Sequence, residues 1–190
     1  MKTQNQTMLS ENTLTSRPTD IIAGFPVRPG FFELNGATPL SNGVNFTAHT
    51  RHGTSCELLL FHSGEEEPFA VLPFPNACRI GDVYSMIVMG LDIEDLEYGY
   101  RIDGPYEPEK GHIFDKTKVL LDPYAKAVAG QREWGQQKIG SYHARVVRDS
   151  FDWEDMPQST RKISDLIIYE LHVRGFTQDS SSGVMHPGTF

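Results

Sequence analysis

Three groups of side chains in this 190-residue chain have the types and spacing to do chemistry. Glu170 and His172 stand two apart, which on a strand places both on one face. That is the arrangement of a metal or acid/base pair, but equally of an inward polar layer hydrogen-bonded to neighbouring strands. The second reading is favoured. Asp92, Glu94, Asp95 and Glu97 offer carboxylates to calcium, yet they lack the glycine and ordered ligand pattern of a calcium loop. They read as a solvated turn between strands, as do Glu65, Glu66 and Glu67. His49, His52, His62, His112 and His143 are scattered, with no serine or cysteine nucleophile pattern beside them, and read mostly as surface or local structural residues.

The composition narrows the ligand classes. A net charge of -8 argues against nucleic acid, because phosphate contacts need a clustered Lys/Arg surface. A neutral polyol is indifferent to that sign. Two cysteines, Cys56 and Cys78, cannot build a disulfide framework, and no zinc spacing surrounds them. Cys56 opens an apolar run and reads as a buried thiol. No stretch approaches the ~18 to 20 apolar residues of a membrane helix. The polar N-terminus lacks the apolar core of a secretory signal, so a cytoplasmic location is expected. No metal or cofactor is implied.

The elements that must position these groups are mostly strands. Residues 1–20 carry few large apolar side chains and read as a mobile tail. Phe25, Val27, Phe31, Phe32 and Leu34, interleaved with Pro26, Pro29 and Gly30, suit an extended entry segment. Val44, Phe46 and Ala48 then alternate with polar residues after the Asn42-Gly43 turn signal. Cys56 to Phe61, apolar on both faces, reads as a central strand. Phe69 to Leu72, Val83 to Met89 and Tyr98 to Asp103 follow, and Asp122-Pro123 breaks the run from Val119 to Val128. Short strands with turn residues between them predict an all-β, immunoglobulin-like antiparallel sandwich over 21–130. A linker is expected over 131–163. Asp165 to Val173 is the strongest strand signal and has the two-sided apolarity of a strand in a parallel sheet. Residues 164–190 therefore read as the start of an incomplete second domain.

Three stretches together resemble the N-terminal part of isoamylase/pullulanase-type glycogen and starch debranching enzymes, in the α-amylase superfamily (glycoside hydrolase family 13). GVNFTAHTRHGTSCELLLF, residues 43–61, is similar to the opening strands of a family-48 carbohydrate-binding module. YGYRIDGPYEPEKGHIFDKTKVLLDPYAKAV, residues 98–128, is similar to its last strands. FDWED (151–155) and DLIIYELHVRGFT (165–177) resemble the linker and first strand of a (β/α)8 barrel, and HPGTF (186–190) resembles the approach to its first helix.

The resemblance implies a retaining mechanism, with an Asp nucleophile and a Glu acid/base about 5 Å apart and a third Asp distorting the sugar. It assigns none of the three to a residue of this chain, which is expected to be inactive alone. The implied partners are an α-glucan (glycogen, starch or limit dextrin) and the protein's own barrel, with the unpaired strand 166–173 open to self-association. A second reading is a stand-alone glucan-binding or protein-interaction module with no enzyme attached. Such modules stack sugar rings on aromatic side chains. Starch-binding relatives usually expose two tryptophans for this, whereas here the pair is Trp134 and Trp153, the latter in the linker motif. Trp134, Tyr106 and Tyr142 are the candidate platforms, and the reading in which the same aromatics pack the module on the barrel is favoured.

Overall fold

Val44, Phe46 and Ala48 do share one buried face, that of β4 (Gly43–His49). The structure, a computed structural model, describes residues 17–130, 142–148, 152, 154 and 160–189. Of the tail expected over 1–20, residues 1–16 lie outside these, whereas Thr19 N donates to Val27 O (2.8 Å) and Asp20 already pairs with Val27, so the end of the expected tail belongs to the sheet. The chain divides into two compact units, Met1–Asp149 and Ser150–Phe190.

In the first unit β4 pairs antiparallel with β8 (Val83–Met89), so that Val44 faces Val88, Phe46 faces Met86 and Ala48 faces Tyr84. The rest of this sheet is β1 (Asp20–Ile22), β2 (Phe25–Pro29), β3 (Gly36–Leu40) and β7 (Arg79–Ile80), in the order β1-β2-β8-β4-β3 with β7 also on β8. The second sheet runs β12-β13-β9-β5-β6. Its members are β5 (Ser55–Phe61), β6 (Ala70–Pro73), β9 (Glu97–Asp103), β12 (Ala127–Ala129) and β13 (His143–Arg145). A separate hairpin joins β10 (Tyr106–Glu107) to β11 (His112–Ile113).

The core lies between the two sheets. Leu58 and Leu60 on β5 stand opposite Tyr100 and Tyr98 on β9, and the Tyr98 ring meets Phe46 edge-on with centroids 5.1 Å apart. The edge strands are short or interrupted: β1 and β12 have three residues each, β3 contains Pro39, and β6 ends on Pro73. β13 falls within the stretch expected to be linker, and joins β12 to β9.

The opposite face of this sheet is polar at Asn45, Thr47 and Ser85, and all three are fully buried. The segment after β2 folds over them and satisfies them. Phe31 N donates to Asn45 Oδ1 (2.8 Å), Asn45 Nδ2 donates to Thr47 Oγ1 (3.0 Å), and the Thr47 and Ser85 hydroxyls lie 2.7 Å apart. Gly30 permits this approach, because a Cβ there would fall on Asn45 Oδ1 and Ser85 Oγ and 2.8 Å from Met86 N. Gly30→Ala should therefore lower unfolding stability by about 1–3 kcal/mol, read from the urea midpoint. An unchanged midpoint would show that the segment lifts off without cost.

In the second unit a 3₁₀ turn (Ile163–Asp165) leads into a segment that is extended at Leu166 (φ -100°, ψ 140°) and His172 (φ -90°, ψ 110°). The strand expected over 165–173 does not form: no ladder hydrogen bonds are made, Ile167 is 100% exposed, and Val173 already opens α1 (Val173–Phe176). The physical reason is that a strand is defined by its neighbour, and among the described residues of this unit no second extended segment lies alongside. Nor do Glu170 and His172 form an inward layer. His172 Nδ1 instead accepts from Gly175 N (2.9 Å) and caps α1.

Candidate functional site

Asp122-Pro123 forces the chain to turn after Leu121, and the turn is tied down on both sides. Asp122 Oδ1 accepts from Tyr124 N (2.8 Å), and Oδ2 accepts from the Tyr98 hydroxyl (2.8 Å). Leu120 exchanges main-chain hydrogen bonds with Tyr100, at 3.0 and 2.7 Å. Gly99 makes room for that bridge, since a Cβ there would stand 2.6 Å from Val119 Cγ1.

Between this turn, the end of β4 and the inner face of β9 lies a cleft of about 300 Å³. Ala48, Ile102 and Leu121 give it apolar walls, Tyr124 stands at its lip, and Asp122 and Tyr100 contribute polar groups. Burial raises the Asp122 carboxyl above its ordinary pKa, against the opposing hydrogen bonds from the Tyr124 amide and the Tyr98 hydroxyl. Burial, then the Asp122 charge, pushes both Tyr98 and Tyr100 up. The Tyr100 hydroxyl is buried, with no hydrogen-bond partner among the described residues.

The linkage has a definite sign. A carboxyl whose folded pKa is raised contributes stability below the ordinary carboxylate pKa and loses it as pH rises through the raised value. Relative to Asp122→Asn, the wild-type chain should therefore gain stability as pH falls from 7 into the carboxylate range. Paired urea titrations across that range test this, and a difference independent of pH would refute it.

Two other clusters flank the sheets. Phe25, His62, Phe69 and Asp95 line a smaller recess of about 160 Å³, with His62 Nδ1 2.7 Å from Asp95 Oδ2. The Ser63 amide, then His62, holds the Asp95 carboxyl below its usual range. Asp92, Glu94 and Asp95 do sit on an exposed turn, as their spacing suggests, but Glu97 does not. Its carboxylate is buried, 3.0 Å from His143 Nδ1 and accepting from Gly64 N at 2.9 Å, while Phe61 stacks on the imidazole at 3.8 Å. Both thiols are free and buried, with burial pushing Cys56 up to about 12 and Cys78 up to about 11, so neither is a ready nucleophile. Among the described residues no three metal-ligating side chains converge, and no helix is long and apolar enough to cross a membrane.

Two of the three aromatic candidates from the sequence fall among the described residues. Tyr106 is 72% exposed on the β10–β11 hairpin, Tyr142 is half-buried just before β13, and Trp134 lies outside the described residues. Among the described residues neither Tyr106 nor Tyr142 stacks on another ring. The cleft residues sat unnoticed inside the quoted motifs. Their signal was the spacing of Tyr98 and Tyr100, two apart and hence on one face, with an Asp-Pro-Tyr turn following.

Comparison with known proteins bears directly on this architecture. Residues 35–125 match the family model described as carbohydrate-binding module 48 (isoamylase N-terminal domain). The chain is 36% identical over 182 residues to the chloroplastic isoamylase SU1 of Zea mays, covering 90% of this chain and 22% of that protein. It is 35% identical over 156 residues to the glycogen debranching enzyme of Salmonella typhi, covering 75% of this chain and 23% of that one. It thus spans about a fifth of the length of these relatives. The fold is also that of the corresponding part of a Paenibacillus barengoltzii pullulanase solved with maltohexaose and alpha-cyclodextrin, with a TM-score of 0.55 and 22% identity over 82% of this chain and 22% of that one. The antiparallel sandwich, with its Tyr98-Gly99-Tyr100 strand and Leu120–Tyr124 turn inside the matched segment, is therefore similar over residues 35–125 to carbohydrate-binding module 48 of the isoamylase N-terminal type.

Proposed function

We propose that this sandwich is the non-catalytic N-terminal module of an α-1,6-glucan debranching glycoside hydrolase in glycogen or starch metabolism, which orients a branched glucan at the barrel or stabilises the barrel. The observation that carries the reading is the match to isoamylase SU1, which runs through the module and into the second unit. In this reading residues 164–190 supply the first strand and loop of a (β/α)8 barrel. Exposed Ile167, Ile168 and Tyr169 await a neighbouring strand there, from the barrel or from a second copy of the chain. Two buried, unpaired thiols suit a reducing compartment, and we place the protein in the cytoplasm.

Affinity electrophoresis through glycogen tests the glucan role. The chain should be retarded by glycogen, and it should release no reducing sugar from glycogen or pullulan. Migration indifferent to glycogen would refute glucan binding, and measurable turnover would refute the non-catalytic assignment.

A further inference from the structure

We propose that the cleft between the end of β4, β9 and the Leu120–Tyr124 turn binds a single glucosyl unit at the terminus of an α-glucan chain. The proposal rests on the glucan-binding reading above and assigns it a place. The volume of about 300 Å³ lies at the lower end of small-molecule sites, which suits one sugar ring and not a run of them. A closed-sided cleft also differs from the flat aromatic shelf on which the middle of a glucan chain lies.

The chemistry of the walls selects the ligand. Among the described residues no Lys or Arg lines the cleft and Asp122 does, so a phosphorylated or carboxylated ligand is disfavoured and a neutral polyol is accepted. Tyr124, 55% exposed, offers an aromatic face at the lip for the apolar C–H face of a pyranose. Each Asp122 oxygen already accepts one hydrogen bond, from Tyr98 or Tyr124, and keeps capacity for a sugar hydroxyl.

Tyr100 adds an independent observation. Its side chain lines the cleft, the residue is 3% exposed, and its hydroxyl has no partner among the described residues. A buried polar group left unpaired is costly, and a phenol can either donate to or accept from a sugar hydroxyl. The site is thus short of one polar group, which a ring hydroxyl supplies.

Isothermal titration of the full chain with maltoheptaose, beside thermal unfolding of each variant, tests the assignment. Tyr100→Phe should weaken binding by about tenfold while leaving the unfolding midpoint unchanged or raised, because the removed hydroxyl has no partner among the described residues. Tyr124→Ala should weaken binding by about tenfold. A cyclodextrin, which has no chain terminus, should bind at least about tenfold more weakly than the linear oligosaccharide. If wild type binds but Tyr100→Phe and Tyr124→Ala bind equally well, the cleft is overturned while the glucan-binding reading survives. A cyclodextrin binding as tightly as maltoheptaose overturns end-on recognition. A lowered midpoint in Tyr100→Phe would reveal an internal partner and overturn the argument from the unpaired hydroxyl. No binding by wild type overturns both readings.

Discussion

Phe46→Ala should cost the sandwich about 3–5 kcal/mol, read as a lower urea midpoint with an unchanged slope. Phe46 is fully buried at the middle of β4, opposite Met86 in the ladder and edge-on to the Tyr98 ring at 5.1 Å. Its ring thus fills space between the two sheets, and the strands around it are held by ladders that resist collapse into the void. Removing it forfeits the transfer free energy of the ring, the aromatic contact and the dispersion contacts around the cavity. Domains of this size are stable by about 5–15 kcal/mol, so the variant should retain little cooperative stability at elevated temperature. A loss under about 1 kcal/mol would mean that the sheets close over the gap, and that the core is less rigid than close packing implies.

His143→Ala should cost about 3 kcal/mol, because it strands a buried carboxylate. Glu97 would keep the Gly64 amide but lose its imidazole partner, and Phe61 would lose the ring stacked on it. The damage should be local before it is global. β13 holds to β9 through only two ladder positions, Ala144 with Tyr98 and Arg145 with Glu97, so amide exchange there should accelerate most. Combining His143→Ala with Glu97→Gln should recover part of the loss, because the neutral amide is cheaper to leave buried. Simple additivity of the two changes would show that the pair is not coupled.

What could be read from the sequence divides along a physical line. β4, β5, β8 and β9 announce themselves through alternation or continuous apolarity over about seven residues, a signal carried by each strand alone. Their partners' order is non-local, but a sandwich follows from the number and spacing of such strands. β13 was invisible because three residues, His143-Ala144-Arg145, carry too little pattern. What makes His143 structural is Glu97, 46 residues away. The burial of Asn45 and Thr47 is not written in β4 itself, because the residues that cover them, Gly30 to Phe31, belong to another segment. The apolarity of 166–173 was legible, whereas the neighbour that would make it a strand is a property of tertiary structure. The cleft was hidden for a similar reason: the types of Tyr100, Asp122 and Tyr124 are plain in the chain, but a hydroxyl without a partner becomes visible only in three dimensions.

The interrupted edges of the two sheets bear on how the chain behaves in crowded company. A sheet edge presents unpaired amides and carbonyls that invite a strand from another molecule, and aggregation often begins there. Pro39 removes a donor from β3, Pro73 closes β6, and β1 and β12 offer only three residues each. None gives a foreign strand the run of hydrogen bonds it needs to anneal. The sandwich is therefore guarded against edge-to-edge polymerisation.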